Sequence, residues 1–235
     1  MAEAGRTKRL MADIRELQNP LYKDTGIFYE ANEENTSKGY ACVFGPSGTP
    51  YEDCPMLYEF TIGSSFPFDP PKVEFRTYDG ITRFHPNMYK EGKCCLSILH
   101  TWEGPKWAST MRLSTVLVTL QSLLDTNPIR HEPGLRVTPS TEKGYSEFVE
   151  HSCIEYTLER YESIEKGRKQ PAAFEPFLEI FKERRLATLE RLKKRLEEKL
   201  ASGERTWAGL PYSLHRQSNY SGLLQRVNHL LSNKN

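Results

Sequence analysis

The residues with the most chemical potential lie in one run, Arg83-Phe84-His85-Pro86-Asn87-Met88-Tyr89-Lys90-Glu91-Gly92-Lys93-Cys94-Cys95. Pro86 and Gly92 mark the run as loop. A cysteine in such a loop, flanked by Lys93 and near the Asn87 amide, has the polar, partly exposed surroundings of reactive thiols. Cysteine suits the carriage of an acyl group, because a thiolate both attacks and leaves readily. An amide donor such as Asn87 would stabilise the oxyanion formed when an amine attacks that acyl group. Residue chemistry leaves three readings open. Cys94 or Cys95 is an acyl carrier; or His85-Pro86-Asn87 is a turn beside two small buried residues; or the thiol belongs to a Cys-His hydrolase. The last needs a histidine base, and nothing in the spacing selects His85 or His100.

The other cysteines, Cys42, Cys54 and Cys153, form no CxxC, and no His-x3-His accompanies them. Structural zinc is not expected, and neither is any other metal or cofactor. The run Met1–Leu17 is too polar for a secretory leader, and no apolar stretch reaches the ~18 residues of a membrane span. Free thiols in a reducing compartment, the cytoplasm and also the nucleus, are expected. The 32 Lys and Arg residues nearly balance 31 Asp and Glu. That balance argues against a nucleic-acid partner, and nothing points to a membrane.

These residues must be held by a framework. Leu10, Ile14 and Leu17 recur at helical spacing before Asn19-Pro20, predicting an amphipathic first helix over residues 6–18. From 27 to 75 the runs IFYEAN, KGYACVFG, MLYEFTIG and KVEFRT alternate with Gly-, Pro-, Ser- and Asp-rich gaps, predicting an antiparallel meander of four strands. Prolines at 67, 70, 71 and 86 predict an extended segment leading to the cysteine pair. LSTVLVTLQSLL (113–124) reads as a buried helix, and 139–167 as a long amphipathic one with Ser140 and Thr141 as candidate caps. The order of elements is α+β.

Several motifs in one order carry a resemblance. His85-Pro86-Asn87, the eight positions from Asn87 to Cys95, and Cys95-Leu-x-Ile-Leu resemble the signature of ubiquitin-conjugating enzymes. GPSGTPYED (45–53), FPFDPPKVEF (66–75), Trp107 and Asn127-Pro128 fall where that family has its own motifs. A longer segment between Cys95 and Trp107, with NPIRHEPG after it, is similar to the larger conjugating enzymes with an insertion after the active-site cysteine, closest in spacing to the Z type.

The resemblance implies the ubiquitin-conjugating fold over 6–167 and a helical extension over 168–235. It implies that Cys95 receives ubiquitin or a ubiquitin-like modifier from an activating enzyme as a thioester, then passes it to a substrate lysine or a ligase. Asn87 takes the catalytic-amide place, while Cys94 and His85 fall to packing and turn formation. The acid that commonly follows Asn-Pro is displaced here, leaving Glu132 and His131 as the candidates near the acceptor lysine. Arg6, Lys8, Arg9, Phe68 and Ser109 fall on the face for activating enzyme and ligase, although the usual Ser-Pro-Ala is Ala108-Ser109-Thr110. The rival within this fold is a catalytically inactive module that only binds such modifiers.

In the extension, Leu178, Phe181, Leu189, Leu192, Leu196 and Leu200 share one helical face, interrupted by Arg185. That face predicts a helix docked on its own domain, with Trp207, Leu210 and Tyr212 as anchors; a partner-binding helix is the alternative.

Overall fold

The computed structural model describes residues 2–233. Helix α1 (Ala2–Leu17) buries Leu10 and Leu17, and it starts earlier than the apolar spacing alone shows. Its Asp13 is buried too, accepting from Arg9 Nε at 2.9 Å and from the Leu113 amide at 3.2 Å. That amide opens helix α3 (Leu113–Ser122), so one carboxylate ties the first helix to the start of the central one. Asn19 caps the short helix α2 (Pro20–Asp24), with Pro20 in its first turn.

Strands β1 (Ile27–Ala31), β2 (Lys38–Phe44), β3 (Pro55–Thr61) and β4 (Lys72–Phe75) form an antiparallel sheet in that order, as the alternation predicts. Ala41 pairs with Tyr58, and Tyr58 with Phe75. Ala41, Cys42 and Val43 are consecutive and all fully buried. Successive strand residues point to opposite faces, so both faces of the sheet are covered there. At the end of β2, Gly45 is obligatory, because a Cβ on it would lie 1.8 Å from the Tyr51 carbonyl oxygen. The turn that follows buries Tyr51 and directs its hydroxyl to the Phe84 carbonyl at 2.6 Å.

Helix α4 (Pro139–Glu165) is capped by Thr138, whose hydroxyl accepts from the Thr141 amide at 3.1 Å. Ser140 and Thr141 therefore lie inside the first turn. Pro139, lacking an N–H, suits the first helical position, so the cap falls on Thr138, two residues upstream of Ser140.

Helices α5 (Leu178–Ala201) and α6 (Tyr220–Ser232) pack on each other and on α4, with a two-residue hairpin between them, β5 (Thr206–Trp207) and β6 (Arg216–Gln217). Phe181 is the junction. Its ring stacks 4.0 Å from Tyr161 of α4 and 6.3 Å from Phe44 of β2. Leu189, Leu192 and Leu196 are buried behind it, while Leu200 is partly exposed. Trp207 is buried against Phe148 and His151, whereas Leu210 and Tyr212 are only half-buried. Arg185, the break in the leucine face, donates to the Leu230 and Asn233 carbonyls at 2.7 and 3.2 Å. It thus satisfies the C-terminal end of α6, where a cation is favoured. Asp53, buried in the β2–β3 turn, receives both Arg191 nitrogens at 2.8 and 2.7 Å. Such a bidentate ion pair is the strong kind of charged contact, and it fastens α5 to the turn.

Candidate active site

The site is a loop folded back on itself between β4 and α3. The Cys95 amide donates to the Asn87 carbonyl at 2.8 Å, and Asn87 Nδ2 donates to the Cys95 carbonyl at 2.7 Å. These reciprocal bonds close the eight-residue span and bring the amide beside the cysteine backbone. The amide nitrogen has a second proton that this pairing does not use. Asn87 Oδ1 is buried and has no hydrogen-bond partner among the described residues, an unusual state for a buried acceptor.

The turn is braced from below. His85 is fully buried, and its Nδ1 accepts from the Asn87 amide at 3.0 Å, so the ring is neutral with its proton on Nε2. Burial, and then the nearby His131, depress its pKa to about 3. A ring so hard to protonate and committed to the Asn87 amide serves as a turn element. Arg83 donates to the His85 carbonyl at 3.1 Å and to the Pro86 carbonyl at 2.6 Å, and its guanidinium lies 3.4 Å from the centre of the Tyr89 ring. Tyr145 of α4 donates to the Arg83 carbonyl at 2.6 Å. On the other side Gly92, at φ 94°, turns the chain so that its carbonyl accepts from Phe75 of β4 at 2.7 Å. The Thr101 hydroxyl fixes the far end, donating to the Cys94 carbonyl at 2.6 Å and accepting from the Leu96 amide at 2.9 Å.

The two thiols differ. Cys94 is part of the apolar core, and burial followed by the neighbouring Cys95 pushes its pKa up to about 12. Cys95 stands outside that apolar cluster, yet it is only 2 % exposed. The loop composition predicts partial exposure, and the structure differs because both backbone groups of Cys95 face Asn87 inside the fold. Burial raises the pKa of Cys42 and Cys153, as expected for core thiols.

The remaining candidates fall in two groups, one beside the His85 turn and one on α1 and the segments around Phe68 and Ser109. His131 lies in the 3₁₀ turn Pro128–His131, its ring 5.0 Å from His85 and its Nε2 paired with Asp125 at 2.9 Å. Glu132 follows it and accepts from the Tyr212 hydroxyl of the C-terminal extension. Arg6 and Arg9 turn inward, Arg6 to the Ile62 carbonyl at 2.9 Å and Arg9 to the Ser109 carbonyl at 2.8 Å, while Lys8 and Ser109 are exposed. Phe68 is 78 % exposed. None of these five hydrogen-bonds to Asn87 or Cys95. Arg83 and Thr101 are not among the candidates, and Tyr212 is expected only as an anchor of the extension, not as a neighbour of the loop. Arg83 sits only two residues before His85, a spacing that could have singled it out, whereas Thr101 and Tyr212 carry no local signal.

A family model of ubiquitin-conjugating enzymes matches residues 9–151, which include the meander, the loop and most of the site. The chain belongs to the ubiquitin-conjugating enzyme family. It is similar to ubiquitin-conjugating enzyme E2 Z of Homo sapiens, with 39% identity over 139 residues that cover 57% of this chain and 39% of that protein. The enzyme of the same description from Danio rerio is likewise 39% identical over 139 residues, covering 57% of this chain and 42% of its own. The chain thus matches less than half the length of these relatives. Among solved structures, an E2 domain of a Toxoplasma gondii ubiquitin conjugating enzyme has a TM-score of 0.43 and 26% identity, covering 55% of this chain and 79% of that one.

Proposed function

We propose that this chain carries ubiquitin or a ubiquitin-like modifier as a thioester on Cys95 and transfers it to an amine, in the manner of the Z-type enzymes it resembles. The reciprocal Asn87–Cys95 hydrogen bonds carry the reading, since they hold an amide donor next to the residue that would bear the acyl group. Loading exchanges one thioester for another, from an activating enzyme's cysteine to Cys95. In transfer, a lysine ammonium first loses a proton, and its nitrogen then attacks the thioester carbonyl. The resulting oxyanion can take the unused Nδ2 proton of Asn87 as a hydrogen bond. The C–N bond forms in that attack; collapse re-forms the carbonyl, breaks the C–S bond and expels the Cys95 thiolate, which takes up the proton that the new amide nitrogen loses, so the net change is amine plus thioester to amide plus thiol. Activating enzyme, ligase and protein substrates are the partners this reading requires.

A charging assay with activating enzyme, ATP and a panel of modifiers, read on non-reducing gels, tests it. Cys95→Ser replaces the reducible adduct with a reductant-resistant oxyester, because an ester lacks the reactive sulfur. Cys94→Ser still charges. Loss of the reducible adduct in Cys94→Ser, with a reducible adduct kept in Cys95→Ser, would reverse the assignment. An uncharged but folded wild-type chain that still binds the modifier would favour the inactive binding module.

A further inference from the structure

Tyr212 of the C-terminal extension reaches Arg83 of the active-site loop. Tyr212 lies between Trp207 and Leu214, both buried. It and Ser213 hold φ values of 62° and 57°, a left-handed conformation that non-glycine residues seldom adopt and that clusters where geometry serves function. This backbone sends the Tyr212 ring edge-on to Tyr145, at 6.0 Å, and sets it 5.1 Å from the Arg83 guanidinium. Arg83 is the side chain that holds the His85 and Pro86 carbonyls next to Asn87. The Tyr212 hydroxyl meanwhile donates to the Glu132 carboxylate, 80 residues upstream. Among the described residues no cation pairs with Glu132 at ion-pair distance, so this hydroxyl is its principal partner.

We propose that Tyr212 is a positioning residue for transfer out of Cys95, fixing the Glu132 carboxylate through its hydroxyl and steadying Arg83 through its ring. The proposal rests on the reading of Cys95 as thioester carrier. Burial, followed by the hydrogen bond to Glu132, keeps the phenol protonated, so it remains a donor at any working pH. One carboxylate oxygen is held by that donor. The other is left to orient an incoming ammonium or to accept its proton, which a lysine must lose before it can attack. The ring contact acts on the turn instead, limiting the movement of Arg83 and through it the carbonyls on either side of the His85-Pro86 bond. An element far from the cysteine in sequence is thereby coupled to both parts of the transfer step.

The test uses the full chain, charged on Cys95 with ubiquitin and then chased with free lysine, so that no ligase or substrate intervenes. Charging and discharge rates are measured separately from pH 6 to 9. Tyr212→Phe keeps the ring and slows discharge by about tenfold, the usual worth of a hydrogen bond to a charged group, with a smaller effect on charging. Glu132→Gln slows discharge similarly, and both variants move the discharge profile to higher pH because deprotonation then depends on solvent. The double variant is no slower than either single one, since the hydroxyl acts through the carboxylate. Tyr212→Ala is slower again, because Arg83 loses its neighbour. A Tyr212→Phe variant with wild-type discharge and an unmoved pH profile overturns the proposal, as do single effects that multiply in the double variant. Thermal melts separate these results from loss of folding. If the wild-type chain forms no reducible adduct, the Cys95 reading falls and this proposal falls with it, a result distinguishable from normal charging with unaltered discharge.

Discussion

Phe181→Ala tests how firmly the C-terminal helices are joined to the sheet and α4. The ring is fully buried and has aromatic neighbours on three elements: Tyr161 at 4.0 Å, Phe174 at 5.0 Å and Phe44 at 6.3 Å. Removing a buried phenylalanine costs about 3–5 kcal/mol, from lost transfer free energy and the remaining cavity. The upper half of that range applies here, because Tyr161 sits on helix α4, Phe44 on strand β2 and the buried Phe174 in the turn before α5, so none can readily collapse into the space. In a chain of this size each kcal/mol shifts the melting temperature by roughly 2–4 °C, which gives a drop on the order of 12 °C. Circular dichroism melts at fixed protein concentration measure it. Leu186→Ala, on the same helix but 64 % exposed, is the control and should stay within about 0.5 kcal/mol of wild type. A Phe181→Ala melt within 3 °C of wild type would refute the shared-core reasoning, and would mean that the extension is an independent arm.

Two further outcomes follow from the loop and the buried histidines. Asn87→Ala removes the donor to the Cys95 carbonyl, so it should cost about 1–3 kcal/mol of stability. It should also slow lysine discharge roughly a hundredfold while still forming the thioester; equal losses in charging and discharge would leave the amide a purely structural part. The second outcome concerns pH. His85 and His151 have folded pKa values of about 3 and about 4, below the ordinary 6.5, chiefly because both are buried. His151 also faces Arg216, whose Nη1 lies 3.2 Å from its Nδ1, with Arg226, Glu204 and Glu150 nearby. The unfolded chain gains these protons near pH 6.5 and the folded chain does not, so stability is full above that pH and falls as pH drops toward 4. At pH 5 each ring forfeits about 2 kcal/mol, and the melting temperature should drop by on the order of 10 °C from its value at pH 7.5. Carboxylates whose pKa is lowered, such as Glu16 and Glu204, act below 4.5 and do not mask this window. A melting temperature that is level from pH 7.5 to 5 would contradict the assignment of both rings as neutral.

What the sequence made legible is largely what is local. The meander declares itself through alternation and turn residues and could be read from them, whereas the relation of Asn87 to Cys95, eight residues apart, comes from the family resemblance and not from residue chemistry. The cap of α4 was displaced by one feature, Pro139, whose lack of an amide proton outweighs the general preference for Ser or Thr. Arg185 looked like a flaw in an apolar seam because the carbonyls it serves belong to another helix, 45 residues away. Tyr212 and Glu132 are 80 apart, and nothing in either neighbourhood anticipates their contact. The burial of Cys95 was hidden for a different reason. Loop composition predicts polarity, but accessibility depends on which way the backbone folds around the residue, and here Asn87 draws it inward.

The Asp53–Arg191 pair has a consequence for the order in which the molecule is made. The two residues are 138 positions apart, so a ribosome adding about 5–20 residues per second exposes the aspartate roughly 7–28 s before its arginine exists. During that interval the β2–β3 turn presents a lone carboxylate where the finished protein has a covered joint. A carboxylate holds water, so this corner stays hydrated until α5 arrives and displaces the solvent. The ion that fastens the finished structure serves the unfinished one as a solubilising group.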